Sequence, residues 1–362
     1  MAGYFITGFP GFISNELIKK LLTCQKESVI YCLHLPSMRA KALIDAKRIE
    51  AETGTSGKII LIEGDISQEG LGLTPSVKEK LEKEIDFVWH LAAIYDLSVP
   101  YKKAYKVNVV GTQNINQFCL ELHNLMRYVY FSTAFVAGVR GGKLLETELV
   151  KPECFHNHYE ETKFEAECLV EEMKEHIPVT IFRPGIVKGK SDTGETSKFD
   201  GPYFIMNMFH RLSFLPIIPL IGDGDSFVNI VPVEYITKAS IHLGHHPAGI
   251  GKTYHLTDPN PYKIKEVYSS ILWEMNGKKP IGKIPQVLAS SCLKFSPFRK
   301  YLRVEKEALD YFAWNGLFDC KGTLQDLKST GIACTDFLET VGSMVEFYKK
   351  NCDKPEYHVL VD

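Results

Sequence analysis

This 362-residue chain has no C-x-x-C pair, no long run of one charge and no apolar stretch long enough to cross a bilayer. Its nine cysteines are scattered and odd in number, which argues against a disulfide framework and for reduced, packed thiols. The net charge is −2, from 42 basic and 44 acidic side chains, so no polyanion-binding surface and no nucleic-acid partner is expected. A charge-free stretch such as 212–222 is about half of the roughly 20 residues a membrane span requires. The G-x-S-x-G elbow of serine hydrolases and the full P-loop pattern are both missing. No histidine group stands at metal-ligand spacing, so no metal is expected, and His156, His158, His245 and His246 read as surface residues. No signal-peptide pattern precedes the first apolar run, and a cytoplasmic protein without an integral membrane segment is the expectation.

What the chain does have is rhythm. Apolar strand patterns at 3–7, 28–35, 57–65, 86–93, 127–134 and 178–185 alternate with helical patterns near 11–23, 38–52, 74–84, 102–124 and 157–176. Alternation of this kind predicts an α/β fold, a Rossmann-type doubly wound parallel sheet buried on both faces. After residue 185 the rhythm changes. A polar loop at 188–202 leads to a strand feeding a helix at 227–243, a further strand at 252–258, and mainly helical patterns at 262–276, 304–313 and 333–350. The predicted division is a dinucleotide-binding domain over 1–190 and 227–260, with a smaller, mostly helical substrate-binding cap over 191–226 and 261–362. Trp273, Trp314 and the aromatic run 311–314 are expected in the core of that cap.

Ligands of such sheets lie at the carboxyl ends of the strands. The first strand runs into "TGFPGFIS" (7–14). Gly8 permits the turn, Gly11 lets the backbone approach a pyrophosphate, and Phe12 and Ile13 open the helix whose N-terminus would face it. The second strand ends without the acidic residue that bonds an NAD ribose; Arg39 and Lys41 follow instead and either suits a 2′-phosphate. The expected cofactor is therefore NADPH rather than NADH. Asp65 and Ile66 after the third strand are placed to flank adenine, and the small Ala92 and Ala93 after the fourth leave room for a flat ligand. Tyr159 and Lys163 stand four apart on a predicted helix, so their side chains share a face. A nearby ammonium favours the phenolate of a tyrosine whose ordinary pKa is about 10. Thr133, after the fifth strand, would sit beside them with a hydroxyl for a substrate carbonyl.

With "GDI" (64–66), "HLAA" (90–93), "KVNVVGT" (106–112), "FSTAFVAG" (131–138) and "FRPGIV" (182–187), these motifs resemble in order an extended short-chain dehydrogenase/reductase. The stretches 64–74 and 90–115 are most similar to the thioester reductase and fatty acyl-CoA reductase branch, the male sterility type. The resemblance implies Tyr159 as general acid/base, Lys163 as its support and a contact to the nicotinamide ribose, and Thr133 as carbonyl holder. Asn108 would order the site, and Pro184 and Ile186 would line the cofactor. Two positions depart from the pattern. Ser14 replaces the third glycine and is expected to perturb helix packing slightly; Leu35 stands where an arginine commonly follows the second strand, leaving Arg39 as the main 2′-phosphate candidate. The implied reaction is NADPH-dependent reduction of an acyl thioester, on CoA or on an acyl-carrier protein, to aldehyde and further to alcohol. A reductase or epimerase of ketones, aldehydes or nucleotide sugars would use the same trio, and a non-catalytic NADP-sensing protein would need none of it.

Overall fold

The computed structural model describes residues 2–359. Seven strands form one parallel sheet: β1 (Gly3–Thr7), β2 (Val29–His34), β3 (Ile59–Glu63), β4 (Phe87–His90), β5 (Arg127–Phe131), β6 (Val179–Pro184) and β7 (Thr253–Leu256). Their spatial order is β7-β6-β5-β4-β1-β2-β3, so the direction of winding reverses between β1 and β4. Helices α1 (Phe12–Cys24), α2 (Arg39–Thr53), α3 (Pro75–Glu84), α4 (Gly111–Glu121), α5 (His158–Met173) and α6 (Val233–His245) pack around the sheet. Every residue of β1 is buried, as a central strand covered on both faces must be. One core joins β1 and Trp89 to α1 and α6; a second joins the opposite face to α4 and α5. Close packing sets sequence limits here. A Cβ on Gly244 of α6 would lie 3.0 Å from the Trp89 ring.

The predicted strands are present, and all but the first end earlier than their patterns. The pattern at 86–93 yields a strand only to His90, because the amides of Leu91 and Ala92 turn away to the Thr7 hydroxyl, at 3.1 and 3.0 Å. The predicted helix 102–124 is three pieces. A turn at Tyr101–Ala104 and a π-helical segment Tyr105–Val110 precede α4. Such π segments widen a helix locally and gather at functional sites.

Beyond the sheet, Phe199–Ile230, Val267–Met275 and Phe337–Cys352 contribute to one apolar cluster. Phe204, Ile221 and residues 289–309 contribute to another. The helix expected at 304–313 is a 3₁₀ segment, Lys306–Ala313. The cap boundary drawn from the sequence needs correction. Strand Gly316–Phe318 pairs with Gly142–Leu144, and helix Lys321–Leu327 packs against β7 and α6, so this stretch lies on the sheet body. Trp314 is buried with Ala137 and Leu144 on that same side rather than in the cap, and Trp273 is 54% exposed.

Candidate functional site

The chain turns sharply after β1. Gly8 has φ +83°, and a Cβ there would meet the Ala92 backbone nitrogen at 2.9 Å. A Cβ on Gly11 would lie 2.6 Å from the Gly8 carbonyl oxygen. Both positions therefore need glycine, and the bare backbone leaves a cradle at the N-terminus of α1. Ser14 ties this turn together. Its hydroxyl accepts from Gly11 N (3.1 Å) and shares its proton between the carbonyls of Gly8 (2.9 Å) and Gly11 (3.0 Å).

Behind the cradle a hydrogen-bond chain joins the ends of β1 and β4. Thr7 Oγ1 donates to His90 Nδ1 (2.8 Å), and Thr112 Oγ1 lies 3.1 Å from His90 Nε2. Thr112 gives its own proton to the Asn108 carbonyl (2.6 Å), so Nε2 must be the protonated ring nitrogen. Burial, reinforced by the Lys163 charge, pushes His90 down to about 3 and keeps it neutral.

A cavity of about 840 Å³ opens at the β1/β4 switch point. Gly8, Gly11, Phe12 and Ile13 line one end, with Asp65, Ile66, Ala92 and Ala93 beside them and Pro184 and Ile186 further in. The bare cradle, the helix N-terminus and this flat-walled slot fit a dinucleotide. Arg39 is not among the lining residues. Its guanidinium is 71% exposed and points to Glu63 at 3.9 Å, whereas Lys41 lines the cavity and donates to the Pro10 carbonyl at 2.8 Å. The helical pitch explains the difference. Arg39 opens α2 on its outer side, and two residues later the side chain has rotated toward the glycine turn.

Further along, Thr133, Tyr159 and Lys163 line the same cavity. Thr133 caps the 3₁₀ turn Ala134–Ala137, its hydroxyl accepting from Phe135 N (3.3 Å). Tyr159 lies in the first turn of α5, which Asn157 caps by accepting from Glu160 N (3.0 Å). Burial raises the Tyr159 pKa well above its ordinary value, a hydrogen bond with Thr133 opposes the rise, and the Glu160 charge adds to it. The Lys163 ammonium donates to Tyr130 Oη and to the Phe131 carbonyl, both at 2.7 Å. Its pKa falls to about 7 through burial, with Glu167 opposing. Glu167 in turn pairs with Arg183 of β6 (Nε to Oε1, 2.8 Å) and accepts from Ser132, which locks α5 to the sheet one turn past Lys163. Asn108 lies outside the cavity. It accepts from Ile94 N (2.8 Å) and donates to Thr162 Oγ1 (3.0 Å), fastening the 91–98 loop to α5.

Two tyrosines not assigned to the site from the sequence stand in it. Tyr95 meets the Tyr159 ring edge-on at 5.1 Å. Tyr311 reaches over from the cap, donates to Glu160 Oε1 (2.6 Å) and accepts from Asn157 Nδ2 (2.9 Å). His156 is not a surface residue; its Nδ1 lies 2.9 Å from the buried Glu160 carboxylate. His245 likewise packs against the Tyr4 hydroxyl at 2.7 Å. The contacts of Tyr95, Tyr311 and His245 join distant segments and leave no local signal, whereas His156 and Glu160 stand four apart, a spacing the sequence does carry. Past Tyr159 the cavity walls turn apolar, with Phe204, Met208, Ile221, Val304, Leu309 and Phe312 contributed from the cap side.

Residues 6–240 match the model of the male sterility protein family, nearly two thirds of the chain. The chain belongs to the male sterility protein family of NAD-binding proteins. Among curated members related to it, the fatty acyl-CoA reductase wat of Drosophila melanogaster is 28% identical over 275 residues, covering 66% of this chain and 53% of that protein. The non-canonical nonribosomal peptide synthetase cpsA of Aspergillus campestris is 26% identical over 270 residues, covering 70% and 25%. The chain thus spans about a quarter of one of these relatives and just over half of the other. In fold it is similar to the terminal R domain of the myxalamid PKS-NRPS pathway, with TM-score 0.81 at 23% identity over 98% of this chain and 92% of that one. An archaeal thiolation-reductase di-domain superposes with TM-score 0.74 at 19% identity, covering 96% and 75%. The Rossmann-type parallel sheet with flanking helices is the fold shared with these structures. Among the described residues no helix is long and apolar enough to cross a membrane.

Proposed function

We propose that the protein reduces an acyl thioester, carried on CoA or on an acyl-carrier protein, to the aldehyde with NADPH. The observation that carries this reading is one continuous cavity. It runs from the glycine cradle, past Thr133 and Tyr159, into the apolar walls supplied by the cap. A nucleotide-sugar substrate would need polar partners where Phe204, Met208 and Leu309 stand. The relatedness to a fatty acyl-CoA reductase and to reductase domains of peptide synthetases supports the same substrate chemistry.

When bound, the reduced nicotinamide supplies a hydride to the thioester carbonyl carbon. Thr133 and Tyr159 hold the carbonyl oxygen between their hydroxyls. The phenol of Tyr159 carries its proton firmly before reaction, because burial raises its pKa. That proton passes to the oxygen as negative charge develops there, giving a hemithioacetal that breaks its C–S bond to release aldehyde and thiol. Lys163 has three N–H donors and spends two, on Tyr130 and Phe131, leaving the third for the cofactor ribose. Its ammonium also offsets the charge left on the phenolate. Preference for NADPH rests on Lys41, with the β2 end free of carboxylates. A second hydride transfer would take the aldehyde to alcohol. We likewise assign substrate binding to the cap segments 191–226 and 261–315 together with 337–352.

The test follows NADPH absorbance with acyl-CoAs, an acyl-carrier protein thioester, matching aldehydes and a nucleotide sugar, with products identified by mass spectrometry. Aldehyde or alcohol formed from a thioester is expected. Turnover of the sugar, or of free aldehydes and ketones alone, would overturn the thioester step.

A further inference from the structure

One surface of the cap differs in charge from the rest of the chain. Between residues 277 and 303 the sequence carries seven Lys and Arg side chains and no Asp or Glu, in a protein whose acids outnumber its bases. This segment forms the strand Lys283–Ile284 and the helices Gln286–Lys294 and Ser296–Leu302. Large apolar side chains protrude from it: Ile281 is 59% exposed, Val287 78%, Leu288 55% and Phe295 65%. The neighbouring loop adds Phe214 at 72%, held there because Lys278 donates to the carbonyls of Ser213 (3.1 Å) and Leu215 (2.8 Å). Lys279, Lys294 and Lys300 have no hydrogen-bond or ion-pair partner for their ammonium groups among the described residues.

Soluble surfaces rarely gather so many protruding apolar side chains, and where they do the patch marks an interaction site. The pattern on this one is particular. Lys294 precedes Phe295 and Lys300 precedes Tyr301 in the sequence, so cations and aromatic rings alternate along this segment. At a bilayer interface the ring enters the acyl boundary while the ammonium remains among anionic headgroups. The other face of the same helices is equally informative. Ala289, Leu293 and Leu302 pack with Phe204, Ile221 and Leu309, which line the apolar end of the cavity. The protruding surface therefore stands directly outside the chamber that would receive an acyl chain.

We propose that residues 277–303, with the 213–217 loop, dock the cap on an anionic lipid surface. The attachment is peripheral, made by apolar side chains entering the headgroup region and lysines neutralising lipid phosphate. This docking is independent of the thioester reading, since it needs neither cofactor nor substrate. It accounts for both signs of the observation, the missing acids and the exposed apolar residues. Val287 at 78% and Leu288 at 55% exposure supply apolar groups to insert among the acyl chains, and the lysines supply charges to pair with the headgroups.

The test is co-sedimentation of the full chain with vesicles of phosphatidylcholine alone and of phosphatidylcholine with phosphatidylglycerol. Binding is expected to the mixed vesicles and to weaken as salt is raised. A lysine near an anionic membrane contributes about fivefold in affinity, so Lys279→Gln, Lys294→Gln and Lys300→Gln together should weaken binding on the order of 100-fold. A second variant, Val287→Ser with Leu288→Ser and Phe295→Ser, should abolish the binding that survives high salt. Both sets replace exposed side chains, and unchanged thermal melting checks that the fold is intact. The proposal fails if neither vesicle sediments the protein, or if neither variant set alters binding. It also fails if the surface binds an acyl-carrier protein, or a second copy of this chain, while ignoring vesicles.

Discussion

Replacing Tyr311 with phenylalanine removes one oxygen from a contact that ties the cap to the helix carrying Tyr159. The ring would stay, keeping its edge-on contact with Phe135 at 5.1 Å and its packing on His156. What is lost is the donor to Glu160 Oε1 and the acceptor for Asn157 Nδ2. Glu160 has no exposed surface, and its other oxygen is occupied by the backbone and ring nitrogens of His156 at 3.0 and 2.9 Å. A hydrogen bond to a buried charged group contributes about 1.5–3 kcal/mol. The variant should therefore lose about 2 kcal/mol, which in a chain of this size lowers Tm by about 2–4 °C. Scanning calorimetry of Tyr311→Phe, Glu160→Gln and the double variant measures it. Coupling is expected, with the double variant less destabilised than the sum by about 1 kcal/mol. A Tyr311→Phe protein melting with the parent, or strict additivity in the cycle, would refute the idea that this hydroxyl fastens the cap. Because Tyr311 also lines the cavity, KM for the acyl substrate should rise more than kcat falls.

Three further outcomes follow from the geometry. Tyr159→Phe should lower kcat by about 10²–10⁴, the usual worth of a positioned general acid, with the cofactor dissociation constant nearly unchanged by fluorescence titration. Lys41→Ala should weaken NADPH binding by about tenfold and leave NADH binding little altered, while Arg39→Ala should do neither; the reverse ranking would restore Arg39 as the phosphate contact. The His156 pKa is governed by burial, which lowers it, and by the Glu160 hydrogen bond and charge, which together outweigh burial and raise it. A raised folded value means this pair stabilises fully below the ordinary histidine value of about 6.5 and is lost as pH climbs through the folded value. Tm of the parent should exceed that of His156→Asn more at pH 5.5 than at pH 8.5, and an equal gap at both would remove the charged pair.

Much of the site's framework was legible because it depends on neighbours in sequence. Gly8 and Gly11 face backbone atoms a few residues away or on the adjacent strand, and Tyr159 and Lys163 share a helix face through pitch alone. Ser14 was legible as a departure but not as a tie, since three short hydrogen bonds to the turn cannot be read from the residue's size. Arg39 and Lys41 were equivalent as letters. Their difference is a rotation around α2, visible only once that helix is set beside the glycine turn. The stretch 316–327 read as cap because a three-residue strand carries almost no pattern of its own; its partner at 142–144 lies far back in the chain.

By itself, the sequence determined the alternation of strands and helices, the parallel sheet they build and the strand ends that border the cavity. Those features follow from local periodicity and from the conformational freedom of single glycines. Only the tertiary structure decided how deep each charge lies and what it faces: His90 held neutral between two threonines, Glu167 locked to Arg183, Glu160 shared by His156 and Tyr311. The physical reason is that burial and hydrogen bonding are properties of a packed environment. An isolated side chain has neither until other parts of the chain, some of them more than a hundred residues away, close around it.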